Sequence, residues 1–271
     1  MTASQAIEGG RVRPPAVAGR FYPGDPDQLS LAVNELMSQV DASVPGNAPK
    51  AIIGPHAGYP YSGPIAASAY TPLLSARGFI TRVIIISPSH RAAFTGLALP
   101  TADAFAIPGA TFTVDRDAVE QLRKLPDVHE IEPAHAPEHG IEVHLPFVAH
   151  TLGSPTIVPL LFGDVDHEAV AGVIDALWGG PDTLIVISSD LSHYLDYDTA
   201  RRVDHATSQS ILGGEVRRIG PSQACGHTAV RALMRVADRR GLTARNLDLR
   251  NSGDTAGPRD EVVGYGAFTF N

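Results

Sequence analysis

Three stretches decide the fold: "AIIGPHAGY" (51–59), "RVIIISPSH" (82–90) and "LIVISSDLSH" (184–193). Each begins as a run of branched apolar residues and ends at or just past a histidine: His56, His90 and His193. A run that is apolar throughout, rather than alternating, suits a strand covered on both faces, as in a parallel or mixed sheet between helix layers. On this pattern strands are expected at 51–54, 82–87, 96–99, 156–161, 183–188 and 262–269. Segments with helical spacing lie between them: "DPDQLSLAVNELMSQV", "DRDAVEQLRKL", "DHEAVAGVIDALWG", "DTARRVDHATSQSIL" and "CGHTAVRALMRVADRR". Most open near Asp or Ser and close at Gly or Pro, as capped helices do. The alternation makes one α/β domain over residues 1–271 the economical reading, with 1–11 as a flexible N-terminal tail. The stretches 101–113, 126–140 and "VPGNAPK" read as loops.

Composition narrows the function. Hydrophobic residues make up 44% and charged residues 18%, enough apolar surface for a sizeable core and too much for a disordered chain. A net charge of −8 argues against nucleic acid as the main partner, because phosphate binding needs a basic face, and no polybasic patch points to a membrane surface. No apolar run approaches the ~20 residues of a membrane helix. The single cysteine, Cys225, excludes an internal disulfide and fits a reducing compartment. The opening residues lack the pattern of a secretory signal, so a cytoplasmic protein is expected.

In open α/β sheets ligands gather outside the carboxyl ends of the strands. If the three strands are parallel, they deliver His56, His90 and His193 to one edge, with Asp190 as an acceptor able to fix an imidazole tautomer. A lone histidine after a strand is usually a loop or packing residue, but three at equivalent places form a candidate metal set. The segment "EHGIEVH" adds Glu138, His139, Glu142 and His144. Cys225 stands where a helix is expected to begin, with Ser222 as its cap, and the helix dipole there should lower the thiol pKa. A small buried thiol packed behind the helix is the plainer alternative. Tyr61 and Phe21 lie in turns that could border a pocket. His129, His135, His150, His167 and His205 have no such context and read as surface or packing residues. No H-E-x-x-H, G-x-S-x-G, Walker A or strand-linked G-x-G-x-x-G motif competes.

The ordered series "RPPAVAGRFYPGDPDQL", "GPHAGYPYSGPIAASAY", "SPSH", "EHGIEVHLPF", "SSDLSHY", "CGHTAV" and "VVGYGAF" resembles the Memo family, whose bacterial and archaeal members are called AmmeMemoRadiSam system protein B. The resemblance runs from about residue 12 to the C-terminus. It implies a fold similar to the LigB-type class III extradiol dioxygenases: one α/β domain, a central mixed β-sheet flanked by helices on both faces, and an iron site at the strand ends. In those enzymes two histidines and a glutamate hold Fe(II). The resemblance places His56 and His90 at the histidine ligand positions, Cys225 where the glutamate would be, and His193 with Asp190 in the catalytic acid/base role. Tyr61, Phe21, His139, Glu142 and His144 would line the substrate pocket.

A thiolate ligand favours Cu(I), Zn or a more electron-rich iron. The expectation is therefore a mononuclear iron (or copper) protein with redox or dioxygenase-like activity. Two alternatives stand beside it: a non-catalytic module that binds a peptide or protein in an old enzyme pocket, and a zinc-dependent hydrolase. The family association also implies AMMECR1-type and radical SAM protein partners.

Overall fold

The computed structural model describes residues 10–41 and 48–271. The expected tail therefore lies, up to residue 9, outside the described residues, as do residues 44–47 of the "VPGNAPK" loop. The first half contains β1 (Val12–Arg13), α1 (Pro26–Ser38), β2 (Ala51–Gly54), α2 (Tyr59–Tyr70), β3 (Arg82–Pro88), β4 (Leu97–Leu99), β5 (Ala104–Ile107), β6 (Ala110–Thr113) and α3 (Arg116–Leu122). Then follow β7 (Val128–Glu130), α4 (Glu132–His135), α5 (Leu145–Leu152), β8 (Thr156–Phe162), α6 (His167–Ala176) and β9 (Thr183–Ser188). The chain closes with β10 (His193–Leu195), α7 (Tyr197–Leu212), α8 (His227–Arg240), β11 (Ala244–Asn251) and β12 (Val262–Phe270).

Nine strands form the main sheet in the order β10-β12-β2-β9-β3-β8-β4-β7, with β11 paired to β12. Its centre is parallel: β2 pairs with β9, β9 with β3, and β3 with β8. Antiparallel strands flank it, β12 against β2 and β4 against β8. The fold is thus α/β with a mixed sheet, as the apolar runs suggest. Ile52, Ile53, Ile84, Ile85, Ile86, Ile185, Val186 and Ile187 are all fully buried, which requires cover on both faces. One group of helices pairs α6 with α8, and α8 touches β3 and β9; another joins α1, α2 and α5.

Two departures from the sequence reading have physical causes. Residues 101–113 contain a hairpin, β5 with β6, that joins β1 in a separate three-stranded sheet. Its strands are only four residues long, and the turn between them is made by Pro108 and Gly109 at positive φ. The tyrosine-bearing "YPYSGPIAASAY" is helix α2 rather than a loop corner. Pro60 sits in its first turn, where no N–H is needed, and the alanines that follow favour helix.

The N-terminal segment is tied down by Arg13, whose side chain is almost fully buried. Its Nη1 donates to Glu142 Oε2 at 2.8 Å, its Nε to the His135 carbonyl at 2.7 Å, and its Nη2 to the Glu138 carbonyl. Glu142 completes the anchor by accepting from the amides of Ala16 and Val17 and from the Tyr22 hydroxyl. Removing one member of such a pair leaves the other charge buried alone. Arg13→Met is expected to cost about 3–5 kcal/mol in urea unfolding; a loss below about 1 kcal/mol would show the anchor to be dispensable.

Candidate metal centre

Register puts the ends of the parallel strands level. Gly54 pairs with Ser188, and Ile86 with Ile187, so β2, β9 and β3 finish side by side. His56 follows Gly54 by two residues, His90 follows Pro88 by two, and Asp190 follows Ser188 by two. The sheet therefore holds all three at one edge.

His56, His90 and His139 converge there, each offering a ring nitrogen within 4.8 Å of the others. The His56 and His90 rings meet edge-on at 4.9 Å, and His139 lies 4.7 Å from His90 and 5.6 Å from His56. His56 and His139 are buried, whereas His90 stands at the solvent rim. Burial, then the neighbouring His90, His139 and His144 rings, holds His56 well below its ordinary pKa, so it is neutral, the form that binds metal.

Glu138 organises two of the three imidazoles. Its Oε2 accepts from the His90 amide at 2.6 Å, and its Oε1 faces His90 Nδ1 at 2.9 Å. Oε1 also accepts from the amides of His139 and Gly140 at 2.9 and 3.0 Å. Burial alone would raise this carboxyl, but the contacts with His139 and His90 and the Gly140 amide keep it well below the carboxylate range. With Nδ1 engaged, His90 is left Nε2 for a ligand; His56 likewise has Nδ1 on Ser188 Oγ at 2.6 Å. His139 Nδ1 is buried 3.2 Å from Glu138 Oε1, so the same carboxylate also faces the third ring. Three imidazoles with ring nitrogens this close, two of them held at Nδ1 so that Nε2 is left for a ligand, are a donor set that fits a metal ion, and the cluster could hold one.

Cys225 adjoins the cluster on its His56 side, with Sγ 3.4 Å from His56 Nε2. Sγ accepts from the Asp190 amide at 3.3 Å. The lowered thiol pKa expected from the helix dipole is not found. Cys225 precedes α8, whose cap is Gly226 rather than Ser222. Burial, reinforced by the Asp190 charge, pushes the thiol up to about 12.

Asp190 is buried, which raises its carboxyl, and its Oδ1 accepts from the His56 amide at 2.8 Å. His193 is held differently from the expected Asp190 contact: its Nδ1 donates to the Leu191 carbonyl at 2.8 Å. That leaves Nε2 as the free lone pair. The bend after Asp190 is fixed from below by Asp204 on α7, whose Oδ1 accepts from the Ser192 amide at 3.0 Å. Asp204 packs so closely on β12 that a Cβ at Gly264 would collide with its carboxylate.

The remaining pocket candidates divide. Phe21 packs tilted against the His139 ring at 4.8 Å, and Tyr61 is 42% exposed on α2. Glu142 is wholly buried, with both oxygens committed to the N-terminal anchor. His144 is also buried, between Tyr70 and Ser188. Sequence reasoning gave no role to Ser188, Asp204 or Arg13, and it named Glu138 in the "EHGIEVH" cluster without its part in orienting His90. Only Glu138 carried a signal, its place directly before His139.

Known proteins resemble this chain along its length. The family profile described as "Memo-like protein" matches residues 13–269. A MEMO1 family protein of Methanothermobacter thermautotrophicus is 33% identical over 94% of this chain and 98% of its own. MEMO1 family proteins of Aquifex aeolicus and Ignicoccus hospitalis are 32% and 34% identical, each over 96% of this chain and 99% and 98% of their own. Among the described residues no helix is long and apolar enough to cross a membrane.

Burial raises Asp204 from its ordinary 3.8 to about 6. Between about pH 4 and 6 the native state keeps a proton that the unfolded chain releases, so stability falls as pH rises through this window. The deficit is complete above it and amounts to about 3 kcal/mol. Asp204→Asn keeps an acceptor for Ser192 without the charge. It should flatten the fall in Tm between pH 4 and 7 and raise stability at neutral pH; an unchanged slope would assign the pH dependence to other groups.

Proposed function

The chain belongs to the Memo family of Memo-like proteins, and on that premise we propose that it is a mononuclear iron protein with redox or dioxygenase-like activity. The observation that carries this reading is the convergence of His56, His90 and His139 at the sheet edge, with Glu138 and Ser188 engaging the nitrogens that a metal would not use. His56 and His90 hold the ion, and Cys225, 3.4 Å from His56 Nε2, supplies the third donor. The donor set suits Fe(II) and also accepts Cu or Zn. When bound, iron with open positions supplies electron transfer and Lewis acidity at the strand ends.

The protein's own groups do the rest. Glu138 fixes the His90 ring and the backbone of His139 and Gly140. His193, with Nδ1 donating to the Leu191 carbonyl, has Nε2 free to take a proton from a substrate and return it. Asp190 steadies the His56 backbone and places negative charge beside these imidazoles. Phe21, against His139, shields one side of the cluster from water.

A second reading has a specific observation behind it. His139 lies in the three-imidazole cluster, so it competes with Cys225 for the third ligand position. Metal analysis of protein purified without oxygen and reconstituted with Fe(II) separates the two. The wild type should hold one equivalent, and His56→Ala and His90→Ala should lose it. Cys225→Ser should lose it while His139→Ala retains most; the reverse outcome makes His139 the third ligand. Consumption of O2 with a small aromatic or thiol substrate is expected of the iron form. Bound zinc with ester or amide hydrolysis would support a hydrolase instead, and tight peptide binding that survives loss of every metal donor would support a binding module.

A further inference from the structure

Behind His56 runs a buried chain of hydrogen bonds whose proton positions can be counted. Ser188, at the end of β9 and fully buried, places Oγ 2.6 Å from the Gly140 carbonyl, 2.6 Å from His56 Nδ1 and 3.0 Å from His144 Nε2. A hydroxyl has one proton and two lone pairs. The Gly140 carbonyl can only accept, so the hydroxyl proton goes there. Both imidazole nitrogens must then donate to Oγ.

The far end of the chain closes the count. Burial holds His144 at a pKa of about 3, so its ring is neutral and carries one proton. With that proton on Nε2, Nδ1 is the acceptor, and Tyr70 offers its hydroxyl there at 3.1 Å. Burial raises the Tyr70 pKa well above its ordinary value, so that hydroxyl keeps its proton. The opposite assignment, with Ser188 donating to His56 Nδ1, would leave the buried Gly140 carbonyl without its donor, a cost that an Nε2–H turned toward Cys225 Sγ at 3.4 Å and Asp190 Oδ2 at 4.0 Å does not remove.

We propose that Ser188 is a positioning residue for the metal centre: by committing its one proton to the Gly140 carbonyl, it locks His56 as the Nδ1–H tautomer with the Nε2 lone pair aimed into the site. His56 is then set for a cation before one arrives. Gly140 is shared with the Glu138 system, since its amide donates to Glu138 while its carbonyl accepts from Ser188. One peptide segment thus connects the group that orients His90 with the group that orients His56. Glycine is required here, because a Cβ would collide with Ser87 Oγ.

The inference rests on the metal-centre reading, but its test does not. Long-range proton–nitrogen correlation NMR of the metal-free, full-length, histidine-labelled protein reads both tautomers, with His56→Asn and His144→Gln to assign the signals. His56 should be protonated at Nδ1 and His144 at Nε2. A His56 ring protonated at Nε2, or averaging between tautomers, overturns the proposal whether or not metal binds. Ser188→Ala should let the His56 tautomers average and weaken Zn(II) binding, measured by competition with a chromophoric chelator, about 10–100-fold. Ser188→Thr keeps the hydroxyl and should retain the wild-type tautomer. A Ser188→Ala protein with wild-type tautomer and affinity would also overturn it. Failure of the wild type to bind any metal, with the tautomers as stated, would remove only the metal reading.

Discussion

A strand buried on both faces can carry polar side chains only where it leaves the sheet, and this constraint governs the rest of the molecule. β2, β9 and β3 are apolar along their buried lengths except for Thr183 where β9 begins and Ser87 and Ser188 where β3 and β9 end, and they run parallel in close register. Their polar chemistry is therefore displaced to the residues just beyond their carboxyl ends. His56, His90 and Asp190 occupy the same offset from three neighbouring strands, so their separation is set by the strand spacing rather than by loop conformation. Little adaptation is then asked of the loops: His90 is held by Glu138, His56 by Ser188, and Asp190 by the His56 amide.

Two glutamates four residues apart divide the work of joining this edge to the remainder of the chain. Glu138 turns toward the imidazoles, and Glu142 turns away toward Arg13, Tyr22 and the amides of Ala16 and Val17. Arg13 touches both systems, through the Glu142 carboxylate and the Glu138 carbonyl. The N-terminal segment that carries Phe21 to the His139 ring is thus fastened to the same short stretch that supplies His139.

The sequence disclosed the fold where a single force dominated. Fully apolar runs in β2, β3, β8, β9 and β12 and capped helical spacing in α1, α6 and α7 were legible, because burial and periodicity decide them. The polar β11 and the short β5–β6 hairpin were not, since their pairing comes from β12 and β1 rather than from their own composition. The same limit applied at the site. His56 and His90 announced themselves by position, but the Glu142 carboxylate is turned away from the site by Arg13, more than a hundred residues away in sequence, and the Glu138 carboxylate is turned toward it by His90, 48 residues away. The Cys225 thiol misled for a related reason: the helix dipole can be read from sequence, whereas the burial that outweighs it cannot.

The unequal exposure of the three imidazoles bears on exchange. His56 and His139 are walled in by protein, and His90 alone meets solvent. An ion held here would meet solvent on the His90 side, and the outward swing of that ring is opposed by Glu138, which grips both its Nδ1 and its backbone amide. Residence time would then be governed by a hinge at the rim rather than by the strength of the interior donors. A centre built this way can bind with modest affinity and still release slowly, keeping its occupant through brief changes in the surrounding metal supply.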